Sequence, residues 1–342
     1  MSARLKDIAQ ETGFAINTVS LALKNSPRIS IETRQVIHEA AKRLDYIPNK
    51  VARSLATQKS DLIAFVVGRY NNFIHNEIAS AFEQKLSDLG YNMLLATTQR
   101  AGGLQTLKVL EEQRVAGIFM FPSLPPDMRQ MEYIRRSETP IMLLSYGSDY
   151  ELPTDAVYVD REQAAYIVIK HLLDHGHRRI GFICSSHNSD QPQFDRERFR
   201  GYVSALKERG IDYDPAYSIV TSDCNFSDGY NAAEILFHRT NVTAIFGAND
   251  FLACGAMKYY LSHGIRVPEQ VSFASNDSTD IAAYAPVALT ASAYPILNLR
   301  DTAVNLMMER ISGRATHPHQ RIAIKSTLDV RLSTGPCCEG GV

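Results

Sequence analysis

The chain has 342 residues, 45% of them apolar, and a formal net charge of −1. That length exceeds one ordinary domain, so two or three units with a sizeable core are expected. The five cysteines (Cys184, Cys224, Cys254, Cys337 and Cys338) are odd in number and lack zinc-site spacing, which argues against a metal or disulfide framework. No signal-peptide pattern opens the sequence and no apolar stretch reaches transmembrane length, so a cytoplasmic protein with no membrane contact is expected.

The total charge hides an asymmetry. The first sixty residues carry ten Lys/Arg against five Asp/Glu, and the remainder carries twenty-six against thirty-two. A basic head on an acidic body suits a protein that grips nucleic acid at one end.

The head reads as three short helices. Leu5, Ile8 and Ala9 mark the first, over 5–12, and Gly13 breaks it at a tight turn. Val19, Leu21, Ala22 and Leu23 mark the second, over 16–24. Val36, Ile37, Ala40, Ala41 and Leu44 share one face of the third, over 31–44, with Ser30 as its N-cap. A helix, a glycine turn and a second helix make a helix-turn-helix unit. A protein-interaction bundle would show the same periodicity. Pro48 stops the third helix, and Asn49 caps a further short one over roughly 50–56. A helix that short is marginal without a partner.

From Leu62 the texture becomes a βαβα rhythm. Apolar runs at 62–67, 93–97, 117–121 and 141–145 alternate with helical patterns. A connection near 155–163 leads into a second half of the same kind, with strands at 180–184, 217–220, 244–248 and 271–275. Such a rhythm calls for parallel sheets covered on both sides, and two lobes of this kind enclose a cleft at strand C-termini. No dinucleotide, P-loop, zincin or nucleophile-elbow motif appears, so no cofactor and no catalytic residue is expected. His171, His175 and His177 form a cluster at a helix end. Capping and dipole roles account for it better than a metal does.

The head resembles the DNA-binding domain of the lactose-repressor (LacI/GalR) family of bacterial regulators. The matching residues are Leu5, Asp7-Ile8-Ala9, Gly13, Thr18-Val19-Ser20, Thr33-Arg34, Ala40-Ala41, Leu44, Tyr46-Ile47-Pro48-Asn49 and Val51-Ala52-Arg53-Ser54-Leu55. In the body, AIFGANDFLACGAMKY, GIRVPEQVSFASND and APVALTASAYP extend the likeness over nearly the whole chain.

The resemblance implies an α/β fold: a helix-turn-helix head, a hinge helix and a two-lobed body like that of periplasmic binding proteins. It implies a head over 1–48 and a hinge and linker over 49–60. The first lobe spans 61–161 with 293–321, the second 162–292 with 322–332, and a flexible tail 333–342. The function implied is a dimeric, sequence-specific transcription repressor. Its partners are operator DNA and a small-molecule effector (a sugar, sugar acid or sugar phosphate) held between the lobes. A transport-type receptor module and a cleft enzyme are the alternatives.

By the same resemblance Ile16 and Asn17 face base edges, Thr18 and Ser20 meet phosphate, and Leu21 faces the groove where the family often has Arg. Ala15 stands where the family often has a capping Ser. Leu55 wedges into the minor groove, with Lys50 and Arg53 near phosphate. The effector residues implied are Asp160, Arg198, Asn249 and Asp277. Asn249 and Asp160 also suit plain capping or bracing. Around the first cleft loop the family pattern is lost. Ile74 and His75 replace two aromatics, Arg69 adds charge, and Cys224 replaces another aromatic with Phe226 close by. Arg69, His75 and Arg198 together suggest tolerance of an anionic effector.

Overall fold

The structure is a computed structural model that describes residues 3–46, 60–68, 73–98, 102–121, 126–144, 153–185 and 193–338. The chain divides into two compact units, residues 1–60 and residues 61–342.

The first unit holds α1 (Leu5–Thr12), α2 (Ile16–Leu23) and α3 (Ile31–Arg43). The Asp7 carboxylate accepts the Arg4 N–H at 2.7 Å and so satisfies one orphan donor of α1. Gly13, at φ 74°, ends α1 with its N–H on the Ala9 carbonyl at 2.9 Å. Ser30 caps α3 by accepting the Thr33 N–H at 3.2 Å. Ile8, Val19, Ala22, Ile37, Ala40 and Ala41 form the buried core of this unit. Val36, expected on the buried face of α3, is 45% exposed instead. Ile37, Ala40 and Ala41 already fill the small interface, and a step of one residue rotates Val36 away from it.

The second unit contains two six-stranded sheets. The first sheet is built from β1 (Leu62–Val67), β2 (Asn92–Thr97), β3 (Gly117–Phe121), β4 (Ile141–Leu143), β5 (Asp155–Val159) and β11 (Arg321–Ile324). Its order is β11-β5-β4-β3-β1-β2, parallel throughout. The helices α4 (Phe73–Asp88), α5 (Gly102–Glu112), α6 (Met128–Arg136) and α12 (Ile296–Ile311) belong to this lobe. Ile63, Phe65 and Phe119 face α4 and α12 on one side, while Ala64, Val66 and Ile118 pack with Leu107 and Ile134 on the other. Continuous burial of a strand is what a sheet covered on both faces requires.

The second sheet is built from β6 (Ile180–Ser185), β7 (Ser218–Thr221), β8 (Ala244–Gly247), β9 (Ser272–Asp277), β10 (Thr290–Ala293) and β12 (Thr327–Asp329). Its order is β12-β10-β9-β8-β6-β7, and only the β10 and β12 pairing is antiparallel. α7 (Arg161–Asp174), α8 (Gln193–Glu208), α9 (Phe226–Arg239), α10 (Asp250–Ser262) and the short α11 (Asp280–Ala283) accompany it. Two glycines bring α9 and α10 backbone to backbone. A Cβ on Gly229 would lie 2.2 Å from the Leu252 carbonyl oxygen, and one on Gly255 2.0 Å from that of Phe226.

Three expectations need correction. The stretch read as a connection near 155–163 begins with strand β5. Its anchor is Asp155, buried and gripped by Arg310 at 2.7 and 3.0 Å and by the Gln320 N–H at 2.8 Å. Burial pushes that carboxyl up, and the hydrogen bonds from Arg310 and Gln320 outweigh it, holding it below the ordinary value. Next, Arg321–Ile324 pairs with β5, so the last crossing between sheets falls at 325–326 rather than at 322.

Lastly, residues 333–338 are docked rather than flexible. Ser333 exchanges backbone bonds with Phe273 and Ala288, Gly335 N–H reaches the Ser272 hydroxyl at 3.1 Å, and Cys337 N–H reaches the His175 carbonyl at 2.8 Å. The Gly/Pro-rich composition suggested fraying, but the segment's backbone, together with the Ser333 and Thr334 hydroxyls, makes the contacts. Residues 339–342 lie outside the described residues.

Candidate functional site

In the head, α2 divides cleanly. Val19 and Ala22 are buried; Ile16 and Asn17 are exposed at its start, and Thr18, Ser20 and Leu21 are half-buried. At 100° per residue, positions 16, 17, 20 and 21 span one outward half of the helix. This face combines an amide, a hydroxyl and two apolar side chains, the groups that read base edges and thymine methyls in a major groove. Ala15 occupies the N-cap with no side-chain hydrogen bond, so the first turn of α2 lacks the satisfaction that Ser30 gives α3. Lys50, Arg53 and Leu55 lie outside the described residues.

In the body, the candidate site gathers at the C-terminal ends of both sheets. β9 ends on Asp277, at φ 87°, followed by Ser278 at φ 54°. Two successive non-glycine residues in the left-handed region are costly and need surrounding support. Asp277 Oδ1 lies 3.9 Å from Arg198 Nη2 on α8, with each side chain 14% exposed. Tyr294, just beyond β10, brings a buried hydroxyl that has no hydrogen-bond partner among the described residues. Burial pushes that phenol up to about 12, and Arg161, Asp277, Arg198 and Glu197 all act on it electrostatically.

The first lobe contributes α4. His75 packs at a tilt of 58° against Phe121, the last residue of β3, with ring centroids 4.5 Å apart. Glu77, two residues on, is half-buried. Burial, then Asp280, then Asp277 raise its carboxyl above the ordinary range. A carboxylate on one lobe thus feels the charge of two on the other.

The other expected residues fall into distinct places. Ile74 is buried in the first lobe's core. Asp160 caps α7 by accepting the Gln163 N–H at 2.9 Å. It also lines a cavity of ≈ 400 Å³ with Tyr158, Arg161, Tyr166, Glu197 and Arg200. Asn249 caps α10 through the Leu252 N–H at 2.8 Å and donates to the Cys224 carbonyl at 3.2 Å. Phe226 is exposed at the start of α9, edge-on to Phe251 at 4.9 Å. Arg69 lies outside the described residues. Glu77 and Tyr294 were not anticipated from sequence. Nothing in a lone Glu or Tyr reports which residues from other parts of the chain will face it.

The histidine cluster is structural. His177 is buried between the Gly335 carbonyl at 3.1 Å, the Ser272 hydroxyl at 3.1 Å and the Thr243 hydroxyl at 3.0 Å. A carbonyl only accepts, so Nε2 carries the proton and Nδ1 is left to accept. Burial pulls this ring down to about 4, against the pull of the Gly335 bond. Among the described residues no group of three or more His, Cys, Asp and Glu could hold a metal, and no helix is long and apolar enough to cross a membrane.

The chain also matches known proteins over both units. Residues 4–49 match the family described as bacterial regulatory proteins, lacI family, and residues 169–334 match a periplasmic binding protein-like domain. The transcriptional regulator DegA of Bacillus subtilis is 30% identical over 344 residues, covering 98% of this chain and 99% of that protein. The regulator GalR of Escherichia coli is 28% identical, covering 91% of this chain and 90% of its own length. Among solved structures, a lac repressor dimer bound to operator superposes with a TM-score of 0.85 at 23% identity, covering 98% of this chain and 100% of that one. That likeness establishes the fold. A complex of the regulator CelR with cellobiose gives 0.69 at 26%, covering 97% of this chain and 99% of that one.

Proposed function

Because the chain belongs to the lacI family of bacterial regulatory proteins and is a DNA-binding transcription regulator, we propose that it is a repressor whose operator affinity is set by a hydroxyl-rich, carbohydrate-derived molecule in the body's cleft. In this reading residues 1–48 read DNA through Ile16, Asn17 and Leu21. Residues 49–60 form the hinge, and a homodimer presents two such heads.

The observation that carries the effector class is the Arg198 and Asp277 pair beside the buried Tyr294 hydroxyl. A guanidinium offers donors, a carboxylate offers acceptors and a phenol offers both. Together they match vicinal hydroxyls, each of which needs a donor and an acceptor. The described charges around the pair do not favour an anion. Glu77, Glu197, Asp277 and Asp280 outnumber Arg161 and Arg198 among the groups that act on one another there. Neutral sugars therefore take precedence over sugar acids and phosphates.

Thermal-shift screening of the full chain against neutral sugars, sugar acids, sugar phosphates and nucleosides tests this. A rise in melting temperature with neutral sugars is expected, followed by altered retardation of the chain's own upstream DNA in a gel. Response to phosphates or nucleosides alone overturns the effector class. A failure to retard that DNA specifically would count against autoregulation at that site.

A further inference from the structure

Asp250 is 1% exposed, and no molecule in the cleft can reach it directly. It opens α10, and its two oxygens accept three hydrogen bonds. Oδ1 takes the Ser275 hydroxyl at 2.6 Å, while Oδ2 takes the Thr279 N–H and the Thr279 hydroxyl, both at 2.8 Å. Ser275 and Thr279 are the two ends of the segment containing the left-handed Asp277 and Ser278. Thr279 in turn caps α11 through the Ile281 N–H at 3.3 Å. One buried carboxylate therefore closes both ends of the turn that carries the cleft's acid.

We propose that Asp250 is a positioning residue of the effector cleft: by holding Ser275 and Thr279 it keeps the strained Asp277 turn in place and sets Asp277 against Arg198. This rests on the reading of Asp277 and Arg198 as effector-binding groups. Without the clamp, the turn relaxes toward negative φ, and a change of that size at Asp277 swings its side chain off the Arg198 line.

The clamp also responds to the cleft. Burial, then the charge of Asp277, raises the Asp250 carboxyl, while the Ser275 and Thr279 bonds pull it down. The groups facing Asp250 are Asp277 at the end of β9 and Cys254 one turn along α10, whose thiol burial and Asp250 push up. Asp280 follows Thr279 at the start of α11, and Arg198 on α8 lies 3.9 Å from Asp277. Donors that neutralise Asp277 favour ionised Asp250. Ionised Asp250 accepts all three bonds, whereas a protonated carboxyl has to give one up or turn the Ser275 hydroxyl. Filling the cleft with hydrogen-bond donors thus stiffens the turn that holds them.

Hydrogen exchange by mass spectrometry on the full chain, corrected for intrinsic pH dependence, tests the clamp. In the wild type, peptides covering 276–284 should exchange more slowly above a midpoint that lies above the ordinary carboxylate range. Asp277→Asn should move that midpoint to lower pH. Asp250→Asn should abolish it and speed exchange there by about tenfold or more, with β8 unchanged. Should Asp250→Asn unfold the lobe, Thr279→Val, which removes one of the three bonds and keeps the N–H, should give a smaller acceleration confined to the same peptides. An unmoved midpoint in Asp277→Asn, or wild-type exchange in Thr279→Val, overturns the proposal. If the neutral-sugar panel leaves wild-type melting unchanged while the exchange results hold, the effector reading falls and the clamp stands. If the panel shifts wild type and Asp250→Asn equally, the clamp's role in the cleft falls and the effector reading stands.

Discussion

At the level of single residues, Ala15 has the most direct consequence. It stands at the N-cap of α2 with no side-chain bond to the helix's first N–H groups. A serine there places a hydroxyl within reach of them. Ala15→Ser is expected to stabilise the head by about 0.5–2 kcal/mol and to tighten binding to every DNA sequence alike, because a cap near phosphate reads no base. Melting of the isolated variant chain and titration against specific and nonspecific duplexes check this; unchanged values in both refute it. Departures of this kind, Ala15 and the half-buried Leu21, are visible in the sequence because both belong to one short helix and its cap. Asp250, Glu77 and Tyr294 are not visible in that way. Each acquires its role from partners brought near only by the second unit's topology.

At the level of elements, local pattern set the limits of what could be read. Long apolar strands such as β1 and β3 and the helices between them announce themselves by length and period. β5 does not: five residues headed by an aspartate look like a connection until Arg310, far along the chain, neutralises that aspartate. The docked segment 333–338 is similar, since its partners are His175, His177, Ser272 and Phe273.

His177 gives that docking a pH dependence. The folded protein keeps the ring neutral, with its value pulled from the ordinary 6.5 down to about 4. A depressed histidine contributes stability that is full above about pH 6.5 and is lost as pH falls from there through about 4. About 3 kcal/mol should be lost by the lower end. Thermal melts of wild type and His177→Gln across this range should show a steeper acid decline in the wild type; parallel curves would be the contrary result. The α9 and α10 contact makes a second prediction. A methyl on Gly255 would sit 2.0 Å from the Phe226 carbonyl oxygen and 2.9 Å from the Tyr230 nitrogen, both backbone. Neither atom can swing aside, so Gly255→Ala should destabilise the chain by about 1–3 kcal/mol or more, read as a lowered melting temperature. A control at Gly264, where nothing lies near the added methyl, isolates the effect of φ 77° alone.

At the level of the whole molecule, the residues divide into a basic unit that reads DNA and a body that ends in a cleft. Neither unit is a regulator without the other. A cleft that binds sugars reports nothing unless its occupancy changes what the head does, and a head that grips DNA regulates nothing unless its grip varies. Coupling between two sites is a single free energy, so it must act equally in both directions. If a cleft compound weakens operator binding by some factor, operator DNA must weaken binding of that compound by the same factor, about 5–150-fold for couplings of ordinary size. Calorimetry of the compound with and without saturating operator duplex measures one direction, and operator titration with and without the compound measures the other. Equal factors are required if the two units form one equilibrium system. A compound that binds the cleft with identical affinity with and without operator occupies the site without regulating, whatever its effect on melting, because a ligand with no preference between two states shifts neither.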